Sequence, residues 1–154
     1  MAKISSKPLQ DFSREALQGL CDKTFQAVWC ATSSVRKIAP HIRRAEQRRL
    51  LGQLSELLKS ESVSVRKTAV ITMGRSQPPS AFLRNLLFES IVEAMRDYDS
   101  GVRHEALAAL EDFCRRNSGY CRRAERLTQD ALSDASSFVV IKARHTQGIL
   151  SVLK

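Results

Sequence analysis

Four valines, Val28, Val65, Val102 and Val139, follow one another through the chain at a constant interval of 37 residues. Other positions keep the same beat. Ala69, Ala106 and Ala143 each follow their valine by four, and Arg66 and Arg103 each follow by one. Four such units fill nearly all of the 154 residues. A repeat of this length predicts helical hairpins stacked in a solenoid, each burying one face against the next, rather than an enzyme built around a single core. The stretch from Val65 to Gly74, VRKTAVITMG, carries the beat most fully.

Composition points the same way. Leu, Ala, Arg, Glu and Ser dominate, only six glycines and four prolines interrupt them, and aromatic residues make up 6% of the chain, so propensity favours an all-α fold. With 43% hydrophobic residues the chain has enough apolar surface for a core, which argues against disorder. No apolar run approaches the roughly 20 residues that cross a bilayer, and the start, MAKISSKPLQDF, lacks the hydrophobic segment of a secretory signal. Asp11 and Glu15 argue against a mitochondrial presequence. The expectation is an intracellular protein of cytoplasm or nucleus, with no membrane partner. The cysteines Cys21, Cys30, Cys114 and Cys121 form no C-x-x-C pair and read as free core thiols. A zinc site from Cys114, Cys121 and His104 lacks a fourth ligand at finger spacing, so neither metal nor cofactor is expected.

Taken in order, the units run over approximately 8–39, 40–77, 78–117 and 118–154. In the first, Leu17, Leu20 and Cys21 share a face, and Trp29 stands where later units have Arg66 and Arg103, as in an end repeat with no neighbour on one side. VRKIA at residues 35–39 imitates VRKTA but is out of register and runs into Pro40. Pro40, the pair Pro78 and Pro79, and the segment Asn117 to Gly119 mark the junctions. Leu50, Leu51, Leu54, Leu57 and Leu58 make the apolar stripe of one first helix, and Phe82, Leu83, Leu86, Leu87, Ile91 and Met95 make the next. The turns KSES, DYDSG and SDASS offer serine or aspartate caps to each second helix.

Asp97, Val102, Arg103 and Ala106 in unit three, with Val65, Arg66 and Ala69 in unit two, carry a resemblance to HEAT-repeat proteins of the wider armadillo-like class, over nearly the whole chain. The resemblance implies a right-handed α–α superhelix of about four helical hairpins. It also implies a ladder between neighbouring units, Asp97 with Arg66 and Asp134 with Arg103. Departures are Ser60 at the aspartate position of unit two, Val140 at the arginine position of unit four, and Lys23 and Trp29 in unit one. The fold alone leaves function open, because such solenoids serve many roles.

Charge bears on partners. Residues 1–75 hold 14 Lys and Arg against 6 acids, and the remainder 11 against 10. Lys37, His41, Arg44, Arg48 and Lys59 project along one flank of the second unit, a stripe that attracts phosphates or an acidic protein surface. A solvated helix face is the equally weighted alternative, since no aromatics interleave to stack on bases. Arg115, Arg116, Arg122, Arg123 and Arg126, diluted by Glu111, Asp112 and Glu125, read as solvated. In a solenoid the second helices line the concave side, which would present Lys67, Ile71, Arg75, His104, Asp112 and His145. Such a mixed groove suits a protein segment better than a substrate that must be enclosed from water.

No phosphate-cradling loop, H-E-x-x-H or nucleophile elbow occurs, and His41, His104 and His145 fall on separate units. No catalytic residues are therefore assigned. The leading expectation is a non-catalytic interaction or scaffold module that binds a protein partner or packs into a larger assembly. Nucleic-acid binding through the basic flank is the alternative, and a DNA-glycosylase-like enzyme a remote third. Ile149, Leu150, Val152 and Leu153 offer an apolar patch for oligomerisation, whereas Arg144 and Gln147, aligned with Val70 and Met73, read as a partial cap.

Overall fold

A computed structural model describes residues 44–78 and 80–153. Unit one, with Cys21, Val28, Trp29, Cys30 and the Pro40 junction, lies outside the described residues, as does Pro79. Among those described the chain is helical without a strand: α1 (Arg44–Leu57), α2 (Val63–Arg75), α3 (Ala81–Ala94), α4 (Ser100–Arg116), α5 (Cys121–Asp130) and α6 (Ser137–Val152). Each odd-numbered helix and its successor pack as a hairpin, and α2, α4 and α6 lie side by side in more intimate contact than α1, α3 and α5 do.

Val65, Val102 and Val139 are all buried at the hairpin interfaces, with Ala69, Ala106 and Ala143 one turn on. Leu51, Leu54 and Leu57 of α1 meet Leu83, Leu87 and Ile91 of α3 across a continuous core that Phe88 and Phe113 fill. Each such side chain contributes about 1.5–3 kcal/mol when fully buried. Three hydroxyls share the interior of the α2 hairpin at little cost. Thr68, Thr72 and Ser76 each donate to the carbonyl four residues back, of Ser64, Thr68 and Thr72, so none of these three hydroxyls is left unpaired.

The spacing between α2 and α4 is set by small residues. A Cβ on Gly74 would stand 2.6 Å from the Ala109 Cα and 2.7 Å from its carbonyl oxygen, so the crossing admits hydrogen only. Arg116 closes the same crossing by donating to the Gly74 carbonyl at 2.9 Å.

The two rungs implied by the resemblance are present. Arg66 grips Asp97 through Nε and Nη2 at 2.8 and 3.1 Å, and Arg103 grips Asp134 at 2.7 and 2.8 Å, both bidentate. The remaining Nη1 of Arg66 donates to the carbonyls of Ser60 and Glu61, and that of Arg103 to those of Asp97 and Tyr98. Each aspartate also accepts a backbone N–H two residues on, from Asp99 or Ser136, at 2.8 Å. One arginine thus pins its own hairpin turn and the next one. Of the three turns offering caps, only DYDSG caps its second helix through a side chain, Asp99 accepting from the Val102 N–H at 3.0 Å. Ser62 and Ser136 occupy the cap positions without such a bond. The ladder already orders those turns, and Asp134 takes the Ser136 N–H itself.

Candidate functional site

The side-by-side arrangement of α2, α4 and α6 makes one face, called the B face below, from side chains that point away from the hairpin cores. Lys67, Ile71 and Arg75 come from α2; His104, Glu111, Asp112 and Arg115 from α4; Phe138, Ile141, Lys142 and His145 from α6. Positions 138, 141 and 145 share a side of α6 by helical geometry, and two contacts fix which side. Phe138 stacks on His104, ring centroids 3.9 Å apart and 8° from parallel. His145 Nδ1 lies 3.5 Å from Glu111 Oε2.

Electrostatically the face has two halves. In the C-terminal half the charges pair with one another. Glu111, 8% exposed, accepts from Arg115 at 2.8 Å and from Lys142 at 3.1 Å, and Arg75 stands 3.6 Å from Asp112. Burial by itself would raise the Glu111 carboxyl, but the hydrogen bonds from Arg115 and Lys142 together outweigh it and hold the group below the usual carboxylate range. In the N-terminal half Lys67 reaches across Gly101, where an added Cβ would stand 2.3 Å from Nζ, and is ion-paired to no described residue. Beside it the His104 ring is held below its ordinary value chiefly by burial, with Lys142 and Lys67 reinforcing and Glu105 opposing. Its Nδ1 is 3.6 Å from Glu105 Oε1, beyond hydrogen-bond length, and has no other partner among the described residues. Phe138 and Ile141 next to it are 53% and 69% exposed.

The six positions named from the sequence lie on α2, α4 and α6, with Ile71 half-buried. The structure joins Arg75 to Asp112 and sets Lys67 near His104, while His145 stands apart on Glu111. Sequence reading missed Glu111, Lys142, Phe138 and Ile141. The Glu111–Lys142 and His104–Phe138 contacts join residues 31 and 34 apart, off the 37-residue beat that signals the core, and Ile141 keeps that beat without the chemistry of Lys67 and His104.

The basic flank is less coherent. Lys37 and His41 lie outside the described residues, as does the side chain of Arg44. Arg48 is exposed with its guanidinium 5.7 Å from the Phe82 ring, and Lys59 pairs with Glu56 at 2.9 Å. Of the later cluster, Arg115 and Arg123 pair with Glu111 and Glu89, and Arg116 donates to main-chain carbonyls. Tyr120 donates to Asn85 and packs against Phe88 and Phe113. The outer face of the α5–α6 hairpin is an open depression lined by Glu125, Arg126, Gln129, Arg144, Gln147, Gly148 and Ser151, with Gln147 bonded to Gln129 at 2.7 Å. Of the C-terminal apolar residues, Leu150 is buried and Ile149 and Leu153 half-buried, leaving Val152 exposed.

Chemistry is sparse elsewhere. Cys114 and Cys121 are buried and free, and burial together with the Cys121 neighbour pushes the Cys114 thiol up to about 12, where it is no nucleophile at neutral pH. Among the described residues no three His, Cys, Asp or Glu side chains gather to hold a metal, and no helix is long and apolar enough to cross a membrane.

No protein-family model and no curated protein matches this sequence. Solved structures match its fold. A designed armadillo repeat protein is 20% identical with a TM-score of 0.54, over 88% of this chain and 63% of that one. Computationally designed armadillo repeat proteins for modular peptide recognition give 19% identity and a TM-score of 0.57, over 94% of this chain and 69% of that one. An engineered protein gives 18% and 0.57, over 90% and 62%. The chain therefore spans 62% to 69% of the length of these structures. Its fold is an all-α, armadillo/HEAT-like helical repeat.

Proposed function

We propose that this chain is a non-catalytic interaction module whose B face takes up a segment of a protein partner. The observation that carries the reading is the face itself: three helices side by side present exposed apolar groups and paired charges along an open surface. A partner with its own extended backbone suits such a surface, which encloses no substrate. One structure of like fold was designed for modular peptide recognition, which is support by analogy of architecture. Among the described residues several groups with catalytic potential are otherwise engaged: His104 is stacked on Phe138, Glu111 is held by Arg115 and Lys142, and the Cys114 thiol is buried.

Selection of binders from a random peptide display library on the intact chain, followed by amide-exchange mapping, tests this. Enriched peptides should protect α2, α4 and α6 at residues of the B face. Enrichment of no sequence, or protection confined to α1, α3 and α5, overturns the reading.

A further inference from the structure

The charges of the B face are paired in one half and open in the other. Arg75, Arg115 and Lys142 each meet a carboxylate, whereas Lys67 meets none among the described residues. The same half holds the two exposed apolar side chains of the face. Phe138 lies flat on His104, its outer surface open, and Ile141 follows one turn later on the same side of α6. An ammonium in salt-bridge contact with no described carboxylate, beside an uncovered aromatic and an uncovered isoleucine, is a two-part surface. It favours a group that is negative at one end and apolar at the next.

On the reading that the B face binds a protein segment, we propose that its N-terminal half selects a segment in which an acidic residue adjoins a large apolar one. The carboxylate meets Lys67, and the apolar side chain covers Phe138 and Ile141. Three features support this partner over others. The Lys67 stem is half-buried across Gly101, which limits the conformations the ammonium must lose when it pairs. Asp99, whose Oδ1 also borders Gly101, accepts from the Val102 N–H, and Glu105 is turned to His104, so neither forms a salt bridge with Lys67. A nucleic acid needs a row of free cations tracking its phosphates, and here Arg75, Arg115 and Lys142 are each in contact with a carboxylate, the last two sharing Glu111.

Fluorescence anisotropy on the full chain, using short labelled peptides in a Gly/Ser background with a central Asp-Phe, Lys-Phe or Asp-Ser pair, tests the proposal. The Asp-Phe peptide should bind about tenfold more tightly than the Lys-Phe peptide, the scale of one charge-assisted contact. Lys67→Glu should invert that order. Gly101→Ala keeps the charge but displaces the Lys67 ammonium, and should weaken the preference without inverting it. Ile141→Ser should lower Asp-Phe binding towards that of Asp-Ser and leave the Asp-over-Lys preference in place. Melting curves confirm that each variant is folded.

Equal binding of Asp-Phe and Lys-Phe, a preference that survives Lys67→Glu, failure of Asp-Phe to bind at about 1 mM, or stronger capture of a generic oligonucleotide through Lys67 each overturns the proposal. The library selection separates the two levels. Charge-blind peptides mapping to the B face sink the acidic-segment proposal alone, and absence of any B-face peptide sinks the interaction reading as well.

Discussion

The junctions between successive hairpins and the outer face of the α5–α6 hairpin occupy the same register, yet they are opposite in chemistry. At the junctions, Val70 and Leu107, Met73 and Leu110, and Phe88 and Cys114 are fully buried against the next hairpin. One repeat on, those positions hold Arg144, Gln147, Glu125 and Ser151, all lining an open polar depression. All of these positions lie in α-helices, so side-chain identity and not secondary structure distinguishes the two places. A repeat array stays soluble by this substitution, since each unit otherwise presents an apolar face to stack on.

The comparison is broken most severely by carrying the outer residue inward. Leu107→Arg places at the α4–α6 interface the side chain that Arg144 carries on the surface, burying a guanidinium without a carboxylate. It should cost several kcal/mol, on the scale of about 3–5 kcal/mol for an uncompensated buried charge, and leave little folded protein by circular dichroism at 37 °C. A variant that melts within a few degrees of the parent would show that the register is wrong.

Removing a rung comes next. Arg66 is 2% exposed and Arg103 17%, so Asp97→Ala strands the more deeply buried cation and should lose about 3 kcal/mol by urea denaturation. Asp134→Ala should lose less. Reversal of that order would mean that burial does not set the strength of the ladder.

Two glycines sharpen the comparison at one register position. Gly74 faces the Ala109 backbone at 2.6 Å, and Gly148, two repeats on, has nothing within 4 Å of its missing Cβ. Gly74→Ala must push α2 and α4 apart, costing about 1–3 kcal/mol as overpacking does. Gly148→Ala should stabilise α6 by about 0.5–1 kcal/mol through helix propensity alone. Equal effects of the two in thermal melts would remove the distinction between inner and outer positions.

How far the sequence reveals all this depends on which contacts repeat. Val65, Val102 and Val139 announce the hairpins because core packing recurs every unit, and the Arg66–Asp97 and Arg103–Asp134 rungs follow once the HEAT-like motif is seen. The B face does not recur: Lys67, His104 and Ile141 share a register with no common chemistry, and neither do Gly74, Glu111 and Gly148. Its Glu111–Lys142 pair and Phe138–His104 stack arise only when two helices are set side by side. The same limit explains the flank, where Lys59 is answered by Glu56 one turn away, while Arg48 lies over a ring of the following unit, Phe82.

Protonation affects the inner junction more gently. The groups facing His104 are Glu105, which favours its charged form, and Lys67 and Lys142, which oppose it along with burial, so the folded value lies below the ordinary 6.5. As pH falls past about 6.5 the unfolded chain takes the proton first, and stability declines until the folded ring is protonated too. His104→Gln should flatten the melting temperature across that window. A second decline belongs to Glu111 and Asp134, whose carboxyls are held below 4.5 and 3.8, so their stabilisation is complete above those values and lost as pH falls through the folded ones. A His104→Gln profile identical to the parent's near pH 6 would contradict the assignment.

The smallest effect on stability is expected where the outer residues are made like the inner ones. Arg144→Leu with Gln147→Leu restores the apolar pattern of Leu107 and Leu110 on the outer face. It removes the Gln147–Gln129 bond at 2.7 Å, which joins an exposed to a half-buried side chain. Surface changes of this sort shift stability by less than about 0.5 kcal/mol, so the melting temperature should barely move. Association should change instead, because the variant presents an apolar stacking face. Sedimentation at increasing concentration should show the double variant self-associating at levels where the parent's sedimentation is unchanged. A double variant that sediments like the parent would mean that the polar residues of the outer face are not what holds it apart.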